Sequence, residues 1–333
     1  MKMSRRFGAS WLQITTRAVP RQVPVSLSCS KVVRPPAGSI NATRTLAGHA
    51  HLKKRLPKKD GGDKRERFRE FSLAGKVFAV TGGGRGLGLC MAEALVEAGG
   101  EVYCLDRLEE PDDEFRAAQD RANPEFGGAI HYRHLDVTDD AHTETVMAEI
   151  ASYKNRLDGL VVAAGINHVE PAFEHTPKQV DEIIHINYTG AFRSAVLAAR
   201  VMMDRKCRGS ILFVASMSGL IANKGMVSAI YNSSKAAVIQ LTRSLAMEWS
   251  EAVEDGTGGI CVNCLCPGHI QTPMAQMVME QDPETKATWE SENMMKRLAR
   301  PEEFRGVTLL LMSDASSFMI GSTVVVDGGH TAW

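Results

Sequence analysis

The sequence predicts an α/β fold: a doubly wound parallel sheet in a single domain, carrying a disordered basic N-terminal extension. Short, almost wholly apolar runs alternate with helix-length stretches from Lys76 onward, and the first run ends in a glycine-rich turn. No Pro/Gly/Ser-rich linker and no internal repeat divides residues 70–333. Strands that are apolar on both faces belong to parallel sheets covered by helices on both sides.

The elements follow in order. An apolar run at 77–80 leads through the glycine-rich turn into a helical stretch at 87–98, which Gly99-Gly100 terminates. Further runs lie at 101–105, 130–135, 160–164, 211–215, 260–266 and 323–326. Helix-length segments separate them, the clearest at 180–203 and 231–250.

Charge divides the chain. Over 333 residues, 39 Lys+Arg balance 39 Asp+Glu, yet residues 1–59 hold thirteen of those bases and no acid. Residues 60–333 are left with 26 bases against 39 acids, a net of −13, which argues against nucleic acid as a partner. No run of 18 apolar residues occurs, so no membrane span is expected. In the 1–66 extension, Phe7, Trp11 and Ile14 would share one helical stripe with the arginines off it. That pattern, with residues 1–59 free of acid and rich in Ser and Thr, predicts a mitochondrial transit peptide plus linker ahead of a 67–333 domain. If the extension is only a solvated tail, the protein is cytoplasmic.

Seven cysteines at scattered spacings do not form a disulfide framework. Cys261-Val-Asn-Cys264-Leu-Cys266 contains a CxxC, but a tetrahedral metal site needs a second ligand pair that the sequence lacks. These cysteines read as small apolar residues of a buried strand, and no metal is expected.

The first run enters Thr81-Gly82-Gly83-Gly84-Arg85-Gly86-Leu87-Gly88. Glycines permit a tight turn and a close approach of backbone to a pyrophosphate, and the helix N-terminus beyond offers unpaired N–H groups. Asp106, 18 residues past Gly88, ends the second run, where a carboxylate can accept both adenosine ribose hydroxyls and repel a 2′-phosphate. The pattern is Rossmann-like, and NAD is the expected cofactor. Arg85 and Arg107 flank the same region and keep NADP open as the alternative.

Tyr231 and Lys235 stand at i and i+4 of a helical stretch that follows the 211–215 run. An ammonium beside a tyrosine stabilises the phenolate and makes it a usable base near neutral pH. Ser216 and Ser218 lie at the C-terminal end of that run, where doubly wound sheets bind ligands.

Over about 76–329 the chain resembles a classical short-chain dehydrogenase/reductase. Its TGxxxGxG is the turn from Thr81 to Gly88, its YxxxK is Tyr231 to Lys235, and its adenine-side LDV is Leu135-Asp136-Val137. The nicotinamide loop PGxIxT is Pro267-Gly268-His269-Ile270-Gln271-Thr272, and the closing VDGG is Val326-Asp327-Gly328-Gly329. Where the family usually has NNAG, this chain has Val162-Ala163-Ala164-Gly165, which still leaves room for the cofactor. The resemblance implies a tetrad of Asn187, Ser216, Tyr231 and Lys235. Tyr231 would exchange the substrate proton, Lys235 would lower the Tyr231 pKa and bind the nicotinamide ribose, Ser216 would hold the substrate oxygen, and Asn187 would hold a relay water. Ser218 has the commoner 13-residue separation from Tyr231, whereas Ser216 matches Ser-x-x-Gly through Gly219. Ser216 is assigned, with Ser218 the alternative.

Within the family the chain is most similar to fungal polyol dehydrogenases and ketose reductases. The features that carry this are Ala215-Ser216-Met217-Ser218-Gly219, Tyr-Asn-Ser-Ser-Lys and the Gly-His-Thr-Ala-Trp terminus. The implied reaction is hydride transfer between a nicotinamide and a secondary alcohol, interconverting polyol and ketose in a homotetramer or homodimer. Residues 273–298 would form the lid, with Met274, Met277, Met279, Met294 and Met295 either as an adaptable substrate wall or as the inner face of a surface helix. The wall reading admits a bulkier lipid or secondary-metabolite ketone as the alternative substrate. A catalytically silent NAD-binding sensor is the alternative of another class. His131, His134 and His168 read as edge residues, and His269 as a solvent-facing member of the nicotinamide loop.

Overall fold

The structure, a computed structural model, describes residues 68–333 apart from 123–126, 225, 255–256 and 283; the transit-peptide and disorder expectations for 1–66 fall outside these residues. Strands β1 (Val77–Thr81), β2 (Glu101–Asp106), β3 (Ala129–His134), β4 (Gly159–Val162), β5 (Ser210–Val214), β6 (Cys261–Pro267) and β7 (Thr323–Val326) form one sheet. The order is β3-β2-β1-β4-β5-β6-β7, and every pairing is parallel.

Alternation along the strands builds two cores. Val77 and Ala79 face one side, and Phe78 and Val80 the other, because successive strand side chains point oppositely. The first side packs on α3 (Asp140–Lys154), α5 (Ala191–Asp204) and α6 (Ala229–Trp249) through Met147, Ala195, Val238 and Leu241. The second packs on α1 (Gly86–Glu97), α2 (Asp113–Arg121) and α9 (Arg305–Met312) through Leu89, Leu95, Phe115 and Leu311. Burying a side chain such as Phe78 stabilises the fold by about 2–3 kcal/mol. Both faces of the sheet are therefore covered, as the apolar strand runs predict.

The chain builds outward from β1 in one direction through β3, then crosses to start β4 on the other side of β1. At such a reversal the connections leave in opposite directions and open a crevice at the C-terminal strand ends. Most boundaries agree with the sequence pattern to within a residue, and two larger departures lie at this crevice. The run at 160–164 leaves the sheet after Val162, because Ala163 and Ala164 pass against Gly82. The stretch at 180–203 is not one helix: α4 (Pro177–Ile184) and α5 are joined by a π-helical turn, His185–Gly190. Asn187 turns inward from it, and Gly190 lies so close to Val137 that a Cβ would come within 2.9 Å of Val137 Cγ2.

At the opposite edge Asp158 ties three strand starts together. Its carboxylate accepts from the Val77 N–H (2.8 Å) and from Arg156 Nε and Nη2 (2.7 and 2.6 Å), while its own carbonyl accepts from the Ser210 N–H. Replacing Asp158 by Ala strands a buried N–H and half of an ion pair, and is expected to cost about 2–3 kcal/mol in urea denaturation. Asp314, which pairs with Lys76 but is 74% exposed, serves as the control. Its replacement by Ala should cost under about 1 kcal/mol.

Candidate active site

The β1–α1 turn is fixed by contacts that leave no room for side chains. Gly82 adopts φ +66, and a Cβ there would lie 2.8 Å from both N and Cα of Ala164. Thr81 Oγ1 also accepts from the Ala164 N–H, so the turn is pinned to the Ala163-Ala164-Gly165 segment leaving β4. A Cβ on Gly88 would sit 2.2 Å from the Gly82 carbonyl, which holds the start of α1 against the turn. Asp106 ends β2 with Oδ2 accepting from the Gly84 N–H at 3.0 Å, so the carboxylate stands directly in the turn. Arg85 and Arg107 are exposed beside it, and Leu87 is partly buried.

Asp136 follows Leu135 off the end of β3, and Val137 packs beneath Gly190. Burial opposes ionisation of Asp136, but the N–H and hydroxyl of Thr138, with Arg107 beyond, hold its pKa below the usual carboxylate range. Sequence reasoning missed Glu114: from α2 its Oε1 accepts the Gly86 N–H at 2.9 Å. An acid in the second helix carries no motif that would mark it.

Across the crevice, α6 presents Tyr231 and Lys235. Lys235 is only 5% exposed; its Nζ donates to the Val214 carbonyl at the end of β5 (2.9 Å) and lies 5.6 Å from the Tyr231 ring centre. Ser216 hydrogen-bonds the Tyr231 hydroxyl, and its Oγ accepts from the Ser218 N–H at 3.1 Å. The Ser218 hydroxyl faces the other way and accepts from Asn223 Nδ2. Gly165 closes the group, since a Cβ there would come within 3.2 Å of Asn187 Oδ1 and 3.4 Å of Lys235 Nζ. Cys264 and Cys266 are buried on β6 near the ammonium, and among the described residues no group of His, Cys, Asp and Glu is arranged to hold a metal.

Two expectations about this group change. Burial pushes the Tyr231 pKa up, and the Ser216 hydrogen bond, not Lys235, is what opposes the rise. Burial also brings Lys235 down to about 8, with Cys264 and Cys266 working the other way. Desolvation outweighs the pairing inferred from i,i+4 spacing, because the ammonium is spent on the Val214 carbonyl. The Asn187 carboxamide is likewise committed: Nδ2 donates to the Ile166 carbonyl and to Ser234 Oγ, and Oδ1 accepts the Ile166 N–H. It clamps the segment after β4, with both amide hydrogens used and one acceptor position of Oδ1 taken.

A family model described as enoyl-(acyl carrier protein) reductase matches residues 82–331. The chain belongs to the short-chain dehydrogenase/reductase family. It is 40% identical over 264 residues to a short-chain dehydrogenase/reductase, notP′, of Aspergillus versicolor, covering 79% of this chain and 89% of that one. It is 38% identical to galactitol 2-dehydrogenase of Rhizobium johnstonii, covering 79% and 98%. A short-chain dehydrogenase/reductase crystal structure from Mycobacterium marinum superposes with a TM-score of 0.71 at 34% identity, covering 79% and 98%. The protein is thus a nicotinamide-dependent oxidoreductase of the alcohol–carbonyl class.

In this dehydrogenase/reductase the 267–272 loop, expected from the sequence to face the nicotinamide, extends β6. Pro267 ends the strand, and Gly268 is held by Val326, where a Cβ would meet Asp327 Cα at 2.7 Å. Ile270 is buried, and Thr272 caps α7 (Pro273–Gln281) by accepting from the Ala275 N–H. Pro273 abuts Gly86, so the lid begins at the glycine turn. In α7 Met274 and Met277 are exposed and Met279 is half-buried, and after α8 (Glu284–Glu292) Met294 and Met295 are exposed, so most of the stripe is not the inner face of a surface helix. His269 is not solvent-facing either. Its ring stacks on Trp289 of α8 at 3.9 Å and 8°, and burial pulls its pKa down to about 3. A basic cavity of about 420 Å³, lined by Lys76, Arg156 and Arg208 among others, lies at the opposite edge of the sheet.

The two serines are separable by mutation. Ser216→Ala removes the hydrogen bond at the Tyr231 hydroxyl and should lower kcat about 100- to 1000-fold, the usual cost of one donor at a reacting oxygen. Ser218→Ala should lower it less than about tenfold. Steady-state kinetics of both variants with one substrate decides between them, and the reverse order would move the assignment to Ser218.

Proposed function

We propose that this protein interconverts a polyol and its 2-ketose using NAD. The observation that carries the reading is the convergence of Ser216, Tyr231 and Lys235 at the crevice beside the glycine turn, in a chain similar along its length to a galactitol 2-dehydrogenase. A dinucleotide fits the turn, because Gly82, Gly84 and Gly88 stand where any Cβ would collide and the α1 N-terminus faces the same space. Asp106 would take the ribose hydroxyls, and Pro267, Gly268, Ile270 and Thr272 would frame the nicotinamide. When bound, the cofactor gives or takes a hydride.

Tyr231 holds the proton that matches this hydride. With its pKa raised, it rests as the neutral phenol and donates to the carbonyl oxygen in the direction of ketone reduction. Ser216 bonds that same oxygen as charge builds on it. In alcohol oxidation Tyr231 must first give up its proton, which the Ser216 bond assists. Lys235, titrating near 8, exchanges protons readily at neutral pH. A silent NAD sensor would need the glycine turn but none of these three groups. The exposed lid methionines favour a second substrate reading, reduction of a bulkier ketone.

The same reading assigns residues 1–66 to mitochondrial import, supported by the thirteen bases and absence of acid within residues 1–59. It also assigns assembly into a homo-oligomer, supported by exposed Phe318, Ile320 and Val325 along the β7 edge.

The decisive assay mixes the purified protein with NADH and a panel of 2-ketoses and bulky ketones, and follows NADH absorbance. Turnover with a ketose is the expected outcome. In Tyr231→Phe it should fall about 100- to 10,000-fold with NADH binding retained; unchanged turnover would refute the mechanism. For the cofactor, Asp106→Ala should weaken NADH about tenfold and narrow the preference over NADPH, the loss expected for a charged hydrogen bond of about 1.5 kcal/mol. Titration of both cofactors into wild type and variant checks it, and an unaltered ratio of affinities counts against Asp106 as the discriminator.

A further inference from the structure

The segment beyond β6 carries an aromatic cluster drawn from three parts of the chain. His269 comes from the nicotinamide loop, Trp289 from α8, and His330 from the turn after β7. His269 stacks on Trp289, and His330 packs edge-on to His269 at 5.3 Å and 89°. Trp289 is 3% exposed and His330 is 6% exposed. Each ring nevertheless has a buried nitrogen without a hydrogen-bond partner: His269 Nε2, Trp289 Nε1 and His330 Nδ1. Buried polar atoms are nearly always paired, so three unpaired nitrogens on mutually packed rings mark a place that something else completes.

The surroundings restrict what completes it. Asp327 is spent on the Gly329 N–H and on the N–H and hydroxyl of Thr331. Glu292 is engaged by Lys224. Neither carboxylate is left to balance a cationic ligand, and the low pKa of His269 keeps its imidazole neutral. The indole N–H only donates, whereas a neutral imidazole offers one donor and one acceptor nitrogen. An uncharged hydroxyl, which both donates and accepts, matches that set.

Its place follows from the sheet register. Val214 pairs with Leu265, so Ser216 and Pro267 lie at the same level, and His269 leaves β6 two residues beyond. Val326 pairs with Pro267, which brings His330 to the same end of the sheet. The cluster therefore adjoins the reacting end of the crevice, where the lid meets its floor. Trp333 Nε1 donates to the Glu292 carbonyl, and Asn293 Nδ2 to the Asp327 carbonyl, binding the C-terminal turn to the end of α8.

We propose that His269, Trp289 and His330 form a hydroxyl-binding subsite that reads the substrate chain beyond its reacting carbon, with His269 the specificity-determining residue. The inference rests on the polyol–ketose reading and adds how the chain would be recognised. A water molecule has the same hydroxyl chemistry, so the test must tell a bound water from a substrate hydroxyl.

The test measures kcat/KM of the full-length protein with NADH on a ladder of 2-ketones of growing length: hydroxyacetone, a tetrulose, a pentulose and a hexulose. His269→Phe keeps a ring to stack on Trp289 but removes both nitrogens; His269→Gln restores a donor and an acceptor without the ring. The expected result for the Phe variant is a loss that grows along the ladder to about 10- to 100-fold, carried by KM. The Gln variant should recover part of it on the longer ketoses. A loss equal on every rung in both variants would make the cluster a mere packing element, and no loss would leave a bound water as its only occupant; either overturns the proposal. Wild-type protein inactive on every ketose would overturn the polyol reading itself, and the subsite with it.

Discussion

The contact on which the rest of the site depends is between two backbones. Gly82, in the left-handed region at the end of β1, lies against Ala163 and Ala164 leaving β4, with no space for a Cβ between them. The two strands are hydrogen-bonded neighbours on which the sheet reverses its winding. Everything functional is hung from this junction. Gly165, next in line, touches Asn187 and Lys235, while Gly88 sets the start of α1 against the Gly82 carbonyl. A side chain at Gly82 would push the glycine turn away from the Ala163-Ala164-Gly165 segment beside Lys235, because one close approach positions both.

The second organising constraint is burial of ionisable groups. Lys235 is almost fully enclosed and anchored by a single carbonyl, that of Val214, which also terminates the strand leading to Ser216. In this low-dielectric setting neither Tyr231 nor Lys235 favours its charged form. The pair is therefore further apart in proton affinity than phenol and ammonium are in water, where about half a unit separates them: burial makes the phenol hold its proton more tightly and the ammonium less. Ser216 is the one neighbour that eases Tyr231 toward ionisation, which makes it part of the electrostatics of the site.

Much of this was legible in the sequence, and for definite reasons. The apolar strand runs, the glycine turn and the acid at Asp106 are local signals, each set by one strand end or one turn. Tyr231 and Lys235 are legible because helical spacing fixes their relation. Three things were not. The π-helical turn at His185–Gly190 breaks a stretch whose pattern is helical throughout; it exists because Asn187 must reach Ile166, a contact spanning 21 residues. The direction of the Tyr231 shift depends on how much protein surrounds it, which spacing does not encode. His269 looked solvent-facing because its partners, Trp289 and His330, are 20 and 61 residues away in the chain and meet only when the lid and the C-terminal turn fold over the loop.

The cofactor end of the crevice is organised by backbone and carboxylates. Gly84 and Gly86 direct N–H groups into the turn, and each is met by an acid, Asp106 and Glu114. The Asp136 carboxylate lies just beyond at the end of β3 and is held ionised by Thr138. Arg85 and Arg107 are the cations nearest the turn in sequence, and both are exposed, where salt and solvent weaken them. A pyrophosphate entering here is matched by peptide dipoles and the α1 N-terminus, whose N–H groups are fixed in place by the folded chain. An added 2′-phosphate would instead meet Asp106 inside the turn, with only swinging arginines to offset the repulsion. Under the proposed NAD reading Asp106 is the group that would resist such a phosphate: it is held by the Gly84 N–H, and turning away would leave that donor unpaired.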